Sequence, residues 1–538
     1  MNIILHRSLI VIGLLVIVSP VYAQIAEDAI LFGQFAPIGT ARFQAIGGAG
    51  FALGGDASAA ALNPAGLGFY NRSSIVVTPN AYVRTTNTNY LGASSEVFGN
   101  QFNIANFGIV INNTKDDLIP ADWRGGSFAV TYNQLNTLNF EAEYGSATTE
   151  ASILDAFAGE ANFLVDEFNE DAATIQQRVN GGDIIGFAEA ALQNFLIRPD
   201  DTGRNFFRST PDDATSNQSG TIITTGNLSQ WNFAYGGNYK DKVYVGVSVG
   251  FRGFNYEVEK EYRETYNYTQ QYLDFIDEGN FFFPGGEGLD NVSVDFVDYN
   301  QVNEVLNISG TGINANLGVI YRPLTELTVG LTYQTPTYYS VRTEEFFDLY
   351  SEVVGILEVD DVDQIFDIGE GTGNPGLVQG NQVISEYNLS TPSRTGIGLA
   401  YFFEKAGFIT LDAEYVNYEA NRFSTNENFS VNDVNDNVES LFKSVFNFRA
   451  GGEFRYKILR FRAGYAFYDD PTLFPDDRLN RDRTILSGGI GFNVSSFFAD
   501  LTVSRTSFDS DFSPYRNAAF IPQENTQIRA LLSLGFNF

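Results

Sequence analysis

Residues Val243–Gly253 read VYVGVSVGFRG and alternate without a break. Val243, Val245, Val247, Val249 and Phe251 fall on one side of an extended chain, and Tyr244, Gly246, Ser248, Gly250 and Arg252 on the other, which is the period of two of a β-strand. FFADLTVSR (Phe497–Arg505) repeats the pattern, with Phe497, Ala499, Leu501 and Val503 opposite Asp500, Thr502 and Ser504. LSGGIGFNV, FITLDAEYV and FRAGYAFY do likewise. One such strand fits a β-sandwich as well as a membrane barrel. The second face separates the two, because it repeatedly carries glycine and charge, at Arg252, Asp412, Glu414, Arg449, Glu453, Arg455 and Arg462. A wet barrel lumen accepts such residues while the apolar face meets lipid.

The amino terminus points to export. Arg7 precedes the apolar run LIVIGLLVIV (Leu9–Val18), and Val21–Ala23 supplies small residues for cleavage before Gln24, so residues 1–23 read as a signal peptide. No later run is long enough for a spanning helix, which leaves a soluble exported protein or an outer-membrane barrel. His6 and Met1 are the only histidine and methionine, and cysteine is absent. Cleavage would therefore remove every imidazole and thioether, excluding disulfides, Cys/His zinc sites, histidine triads and His or Met haem ligation. Tyrosine haem ligation and carboxylate binding of calcium or magnesium stay chemically open. No motif calls for either, so no cofactor, metal site or catalytic residue is assigned. With 65 Asp and Glu against 32 Lys and Arg, a net charge of -33, nucleic acid is not expected as a partner.

The spacing of the strands agrees with a barrel. Tight links at about Val494–Ser496, Lys457–Arg460, Glu404–Gly407, Pro323–Glu326 and Lys240–Lys242 alternate with longer ones near Asp509–Gln523, Asp469–Asp482, Thr425–Leu441, Glu344–Ser385, Tyr268–Asn303 and Gly145–Thr225. Short periplasmic turns opposite long outside loops are the outer-membrane pattern. The expected fold is all-β: a transmembrane antiparallel barrel of about 14 strands over residues 73–538, with long extracellular loops at about 145–225, 268–303 and 344–385. The Gly145–Thr225 insert contains helix-like pieces, ASILDAFAGEANFLVDEF and IIGFAEAALQNFL, suited to a cap over the mouth. The Glu344–Ser385 stretch holds ten acidic side chains and no Lys or Arg, which reads as a solvated, self-repelling loop, with cation binding as the alternative. The chain ends LLSLGFNF, placing Leu532, Leu534, Phe536 and Phe538 on the lipid face. This ending resembles the signal read by the barrel-assembly machinery, an expected partner together with outer-membrane lipid.

About fifty residues, Gln24–Arg72, separate the cleavage site from the first strand. They include GTARFQAIGGAGFALGGDASAAALNPAGLGFY (Gly39–Tyr70), with glycine too frequent for a long helix and too little alternation for a strand. Small residues permit close backbone packing, so a segment of this kind can fill a lumen as a plug. The run resembles the amino-terminal hatch of the FadL-type family of outer-membrane transporters for hydrophobic compounds, in an Ala/Gly-rich lead followed by Asp56, small residues and Asn63-Pro64-Ala65-Gly66. STPSRTGIGLAYFF and RFRAGYAFYDDP are similar to later strands of that family. The resemblance implies a 14-stranded barrel with a hatch at residues 24–72, passive uptake of long-chain fatty acids or aromatic hydrocarbons, and sideways release at a kinked third strand. That strand is expected at Gly126–Tyr144, with the kink sought in Tyr132, Asn133, Gln134, Leu135 and Asn136. The large acidic insertions depart from the family.

Other readings are weaker. GAGFAL (Gly48–Leu53) lacks the third glycine of a dinucleotide fingerprint and follows no strand of a βαβ unit. Asn-Pro-Ala-Gly by itself is a turn sequence, which leaves the small-residue run before it unexplained. Asp412 and Glu414 lie two apart and could pass for a catalytic pair, but inward carboxylates in a lumen are usually solvated or ion-paired, and no histidine is available as base. A surface barrel for attachment or secretion is the alternative to uptake. The outer membrane is the expected location and a small hydrophobic ligand the expected partner.

Overall fold

The structure, a computed structural model, describes residues 29–538 apart from 35–36, 116–120, 147, 183, 185, 195, 201, 212–213, 270–291, 360–361, 368–376, 381, 426–430, 474–478, 495 and 516–517. The expected signal peptide lies outside the described residues.

Fourteen antiparallel strands close into a barrel. In chain order they are β1 (Ser74–Tyr90), β2 (Ala93–Thr114), β3 (Trp123–Thr137, resumed at Phe140–Gly145), β4 (Thr215–Tyr239), β5 (Val243–Asn267), β6 (Val292–Leu324) and β7 (Leu327–Gln334, resumed at Tyr338–Val359). They continue with β8 (Val383–Ser390, resumed at Arg394–Phe403), β9 (Gly407–Asn417), β10 (Ser444–Tyr456), β11 (Leu459–Tyr468), β12 (Arg483–Val494), β13 (Phe497–Phe512) and β14 (Ile521–Asn537). Each pairs with its sequence neighbours, and β14 returns to β1 from Ser74↔Asn537 to Thr88↔Gln523. Closure removes the free sheet edges that lipid cannot satisfy.

Alternation in the sequence becomes inside and outside. Val247, Phe251, Leu501, Val503, Leu534 and Phe536 are exposed on the outer wall, whereas Ser248, Arg252, Asp500, Thr502 and Ser533 between them are buried. The lumen at this level is packed rather than wet: Asp412, Glu414, Arg449, Glu453 and Arg462 are all under 9% exposed. The turn between β4 and β5 is three residues, Lys240–Lys242, the first two at φ 56° and 53°. That left-handed pair matches the twist of a hairpin, and the Asn238 side chain accepts from the Asp241 N–H at 2.9 Å.

Two boundaries differ from expectation on the outer side. Strand β7 runs on to Val359, so Glu344, Glu345, Asp348 and Glu352 belong to a strand paired with β6 and not to a loop. The hydrogen-bonded ladder outweighs the repulsion among these half-buried carboxylates, which Arg342 eases at Glu344, 2.7 Å away. The β1–β2 link is also tight, the turn being Leu91 and Gly92 at φ 47° and 91°. Over the mouth, residues 146–214 form a cap of three helices, α1 (Ile153–Phe168), α2 (Ala172–Asn180) and α3 (Phe187–Gln193). Asp171 caps α2, and the Thr174 hydroxyl and N–H hold its carboxyl below the usual carboxylate range. The cap packs onto the barrel through Phe157, Phe187 and Phe347, and Glu264 of β5 accepts from the Ser152 hydroxyl and the Ile153 N–H at 3.2 and 3.1 Å.

The outer wall gives a direct test. Val247→Arg or Leu501→Arg should cost about 2–4 kcal/mol if near the bilayer midplane, read by urea unfolding in vesicles. Phe346→Arg, on the extracellular extension of β7, should cost little. Equal losses would mean that the exposed apolar girdle is not the lipid surface.

Candidate functional site

Residues 37–70 lie inside the barrel, and the reason they stay there is hydrogen bonding. The segment holds only a turn of helix at Ala41–Ala45, another at Ala59–Leu62 and a 3-10 turn at Pro64–Phe69, so much of its backbone lacks internal partners. Inward side chains of the strands supply them. Ser533 accepts from the Ala41 N–H at 2.7 Å and Thr502 donates to the Ala41 carbonyl at 2.6 Å. Ser487 bridges the Gly47 N–H and the Ala45 carbonyl, both at 3.1 Å. Thr328, Asn316 and Thr332 donate to the carbonyls of Ala52, Ala61 and Leu62 at 2.7–2.8 Å. Asp412 accepts from the N–H groups of Gly50 and Phe51 at 2.7 and 3.0 Å.

The Asn-Pro-Ala-Gly residues sit at the tightest part of this contact. The Asn63 side chain accepts from the Ala65 N–H at 3.2 Å and so caps the 3-10 turn that Pro64 starts. Its amide donates to the Phe51 carbonyl at 2.6 Å and to the Leu331 carbonyl of β7 at 3.3 Å, joining segment to wall. Ala65 is buried against Tyr244 and Ile320. The wall is cut back to receive the turn: a Cβ on Gly246 would meet Pro64 at 2.2 Å, and one on Gly318 would meet Asn63 Oδ1 at 1.9 Å. Gly66 is constrained too, since a Cβ there would lie 2.8 Å from the Leu53 carbonyl oxygen. Asp56 ties the start of the segment to its middle, accepting from the Thr40 hydroxyl at 2.9 Å and the Ser58 N–H at 2.9 Å.

Charge completes the anchorage. Glu414 is held by Arg394 and Arg449, both at 3.2 Å, and by Asn447 at 3.0 Å, while Arg449 covers the Phe51 ring at 4.7 Å. Glu453 pairs with Arg455 and Arg462 at 2.7 Å, Arg462 also with Asp500 at 2.6 Å, and Arg42 of the segment approaches Glu453 at 3.9 Å and Asp56 at 3.8 Å. Asp412 and Glu414 thus serve as a clamp on the segment and the centre of an ion triad. Removing one member of such a buried network is far more costly than its net contribution, because the partner charge stays buried.

Above the segment lies an aromatic cluster. Phe32 stacks on Phe254 with ring centres 4.0 Å apart, and Phe254 meets Tyr339 at 5.5 Å. Arg394 donates to the Gly33 carbonyl, tying the start of the described chain to the wall.

The third strand is irregular. Pairing between β2 and β3 runs only from Thr114↔Gly125 to Asn106↔Asn133. The β3–β4 register shifts between Gln134 and Asn136, the strand breaks at Leu138 and Asn139, and the resumed part meets β1 from the lumen side. There Arg84 donates to the Asn139 carbonyl at 2.7 Å and Thr88 to the Glu143 carbonyl at 2.5 Å. Residues 93–105 of β2 consequently pair with β1 alone. A shallow pocket of about 550 Å³ lies in the wall there, bordered by Gln101, Asn103, Phe107, Tyr132, Gln134 and Trp231. Asn133 is buried and accepts from Asn106 at 2.8 Å, Gln134 donates to Asn227 at 2.9 Å, Leu135 points into the aromatic cluster, and Asn136 is half-buried.

The chain aligns over 94% of its length with the whole of a FadL homologue of Pseudomonas aeruginosa, at a TM-score of 0.52 and 13% identity. The fold is that of the FadL-type barrels. The toluene transporter TodX of P. putida aligns over 94% of this chain and 99% of its own, at a TM-score of 0.48 and 11% identity. No family model matches the sequence, and no curated protein matches it. The closed 14-strand barrel with its exposed apolar outer wall is in keeping with an outer-membrane location. Sequence reasoning missed the wall residues that hold the segment, such as Ser487, Thr502 and Ser533, because serine and threonine on an inward face look the same whether they meet water or backbone.

Asp412→Ala should orphan two buried N–H groups and weaken attachment of the segment by about 3 kcal/mol. Planar-bilayer recordings should show frequent openings in this variant against a quiet natural chain, with Glu386→Gln on the extracellular extension unchanged. A quiet Asp412→Ala channel would remove the clamp from the account.

Proposed function

We propose that the protein is a passive importer of small hydrophobic molecules, long-chain fatty acids or aromatic hydrocarbons, with residues 24–72 as its hatch. One observation carries the reading: residues 37–70 fill the lumen along its axis, while β3 parts from β2 above Asn133 beside a pocket of about 550 Å³ in the wall. A path that is blocked axially, beside a wall whose strands part, suits a solute that prefers lipid to water. The FadL-type fold supports the same conclusion.

In this mechanism a ligand enters beneath the cap, settles among Phe254, Tyr339 and their neighbours, and leaves through the wall pocket into the membrane. Burial of apolar surface, about 25 cal/mol per Å², drives each transfer, and no energy-coupling segment is required. Asp56, Asn63, Pro64, Ala65 and Gly66 fix the hatch, and Tyr132, Asn133, Gln134, Leu135 and Asn136 form the edge of the exit. Membrane lipid receives the product. The aromatic end at Phe538 is the feature for the barrel-assembly machinery to read during insertion.

Deleting residues 39–70 should leave an inserted barrel with a steady ion current and make cells more permeable to small hydrophilic antibiotics. A deletion variant inserted at normal levels that conducts no more than the full chain would show that the segment is not the plug. Gln134→Trp with Asn103→Trp should fill the wall pocket and lower cellular uptake of a labelled hydrophobic compound several-fold while leaving its binding to purified protein intact. Unchanged uptake would assign the exit elsewhere.

A further inference from the structure

Arg505 on β13 points away from the lumen. It continues the outward row of Leu501 and Val503 and is exposed between Leu486 of β12 and Ile528 of β14, both exposed themselves. Arg263, Arg342 and Arg481 at the same end of the barrel each hold a carboxylate, at 2.9, 2.7 and 2.6 Å. Among the described residues Arg505 has no partner. Its level on the wall is set by its neighbours. The next outward positions toward the cap are Thr484, Ser507, Thr526 and Thr85, which pair strand to strand from β12 to β1. None of these four hydroxyls makes a hydrogen bond among the described residues. Arg505 therefore stands where the apolar girdle gives way to polar side chains, the level of lipid head groups. An arginine costs little there, because its stem lies on apolar surface while the guanidinium reaches the polar layer.

The wall changes character on either side of this point. One outward position above the hydroxyl row, Asp509 faces Glu524, and Asn87 faces both Glu524 and Glu96. With Asn89 and the exposed ring of Phe520 they line a pocket of about 640 Å³. Carboxylates and amides beside a bare aromatic face are groups that hold a sugar ring. Asp509 lies four residues from Arg505, roughly 13 Å along the strand, so it neither pairs with the guanidinium nor strongly repels an anion seated on it, the screening length being about 10 Å. Below Arg505 the wall is hollowed. Val503, Gly488, Ala463 and Gly452 form one row from β13 to β10. A Cβ on Gly488 would meet nothing nearer than 3.9 Å and one on Gly452 nothing nearer than 3.4 Å, so contact with the hatch does not account for these glycines as it does for Gly236, Gly246 and Gly318. The trough adjoins a groove of about 290 Å³ among Leu411, Phe448, Ala450 and Tyr465.

We propose that this outer face is a docking surface for a phosphorylated glycolipid of the leaflet on the cap side. Its phosphate lies on Arg505, its sugar in the pocket above, and an acyl chain in the trough over Gly488 and Gly452. The planar guanidinium fork takes two phosphate oxygens, and the Ser507 and Thr526 hydroxyls donate to the others. The order of the three features along the strands selects this occupant: an apolar trough, a cation with hydroxyls, then a sugar-type pocket match acyl chain, phosphate and sugar in turn. A phospholipid would leave the pocket empty. An unphosphorylated glycolipid would leave Arg505 unpaired. The lipid would lie across β12, β13, β14 and β1, and so brace the seam where the barrel closes. The surface is outside the lumen and does not rest on the uptake reading.

Native mass spectrometry of the full-length protein in an uncharged detergent, titrated with bisphosphorylated lipid A, its dephosphorylated form and phosphatidylglycerol, tests the surface. Lipid A should bind at least about tenfold more tightly than the dephosphorylated form, the effect of charge-assisted hydrogen bonds. R505Q should remove most of that preference and R505K should keep part of it, with heat-modifiable gel mobility reporting the fold. Lipid A should also exceed phosphatidylglycerol several-fold, and F520A should remove that margin. Equal binding of lipid A and its dephosphorylated form, or a preference for phosphate that survives R505Q, would overturn the site. Phosphatidylglycerol matching lipid A on the natural chain would overturn the glycolipid assignment in favour of anionic lipid in general. Binding of none of the three would overturn the docking surface and leave the uptake reading standing.

Discussion

Everything in this barrel depends on finding hydrogen-bond partners for an irregular backbone enclosed by a closed sheet. Residues 37–70 cannot satisfy themselves as a long helix would, and each buried orphan would cost about 1–3 kcal/mol. The wall answers with short polar side chains: Ser487, Thr328, Thr332, Thr502 and Ser533 reach one bond each or two without filling the space. Longer polar residues at those positions would push the segment away. The inner face is therefore polar for the sake of the backbone it surrounds, and among its charged groups Asp412 takes two N–H groups at once.

Glycine on the wall follows from the same demand. Gly236, Gly246 and Gly318 leave no room for a Cβ once Asn63 and Pro64 are seated. Small residues on the segment and missing side chains on the strands are two halves of one fit, so that a methyl added at Gly236, Gly246 or Gly66 meets backbone and one at Gly318 meets the Asn63 side chain. Such a surface holds its occupant by geometry and hydrogen bonds, with few large apolar contacts. That combination gives a firm but separable seat, since the groups released can be taken up by water.

The barrel was legible because its two signals are local. Alternation at Val243–Arg252 and Phe497–Ser504 assigns inside and outside residue by residue, and short turns such as Lys240–Lys242 mark one end of the barrel. Asn63 and Pro64 were legible as a turn, because Asn caps and Pro starts the 3-10 turn they form. The acidic stretch after Glu344 misled, since like charges suggest a loop, whereas ladder bonds to β6 keep it a strand. What could not be read was anything built across strands. The departure of β3 from β2 above Asn133 depends on register, and the row of Thr484, Ser507, Thr526 and Thr85 is assembled only by closure of β14 onto β1.

Closure and opening are linked through that seam. The β1–β14 ladder is continuous from Ser74 to Thr88 apart from a local irregularity where Thr78 and Pro79 face two unpaired positions, and it holds the first strand in place. With β1 fixed on that side and paired to β2 on the other, the inward turn of β3 can lean on β1 through Arg84 and Thr88 instead of on β2. The backbone groups that β3 gives up are thus satisfied from the lumen, where polar partners exist, and the edge of β2 is left free at residues 93–105. On the proposed uptake reading, moving one strand segment inward lets the barrel stay sealed to ions and still release a solute into lipid, because the lumen can meet the hydrogen-bond cost that the membrane cannot.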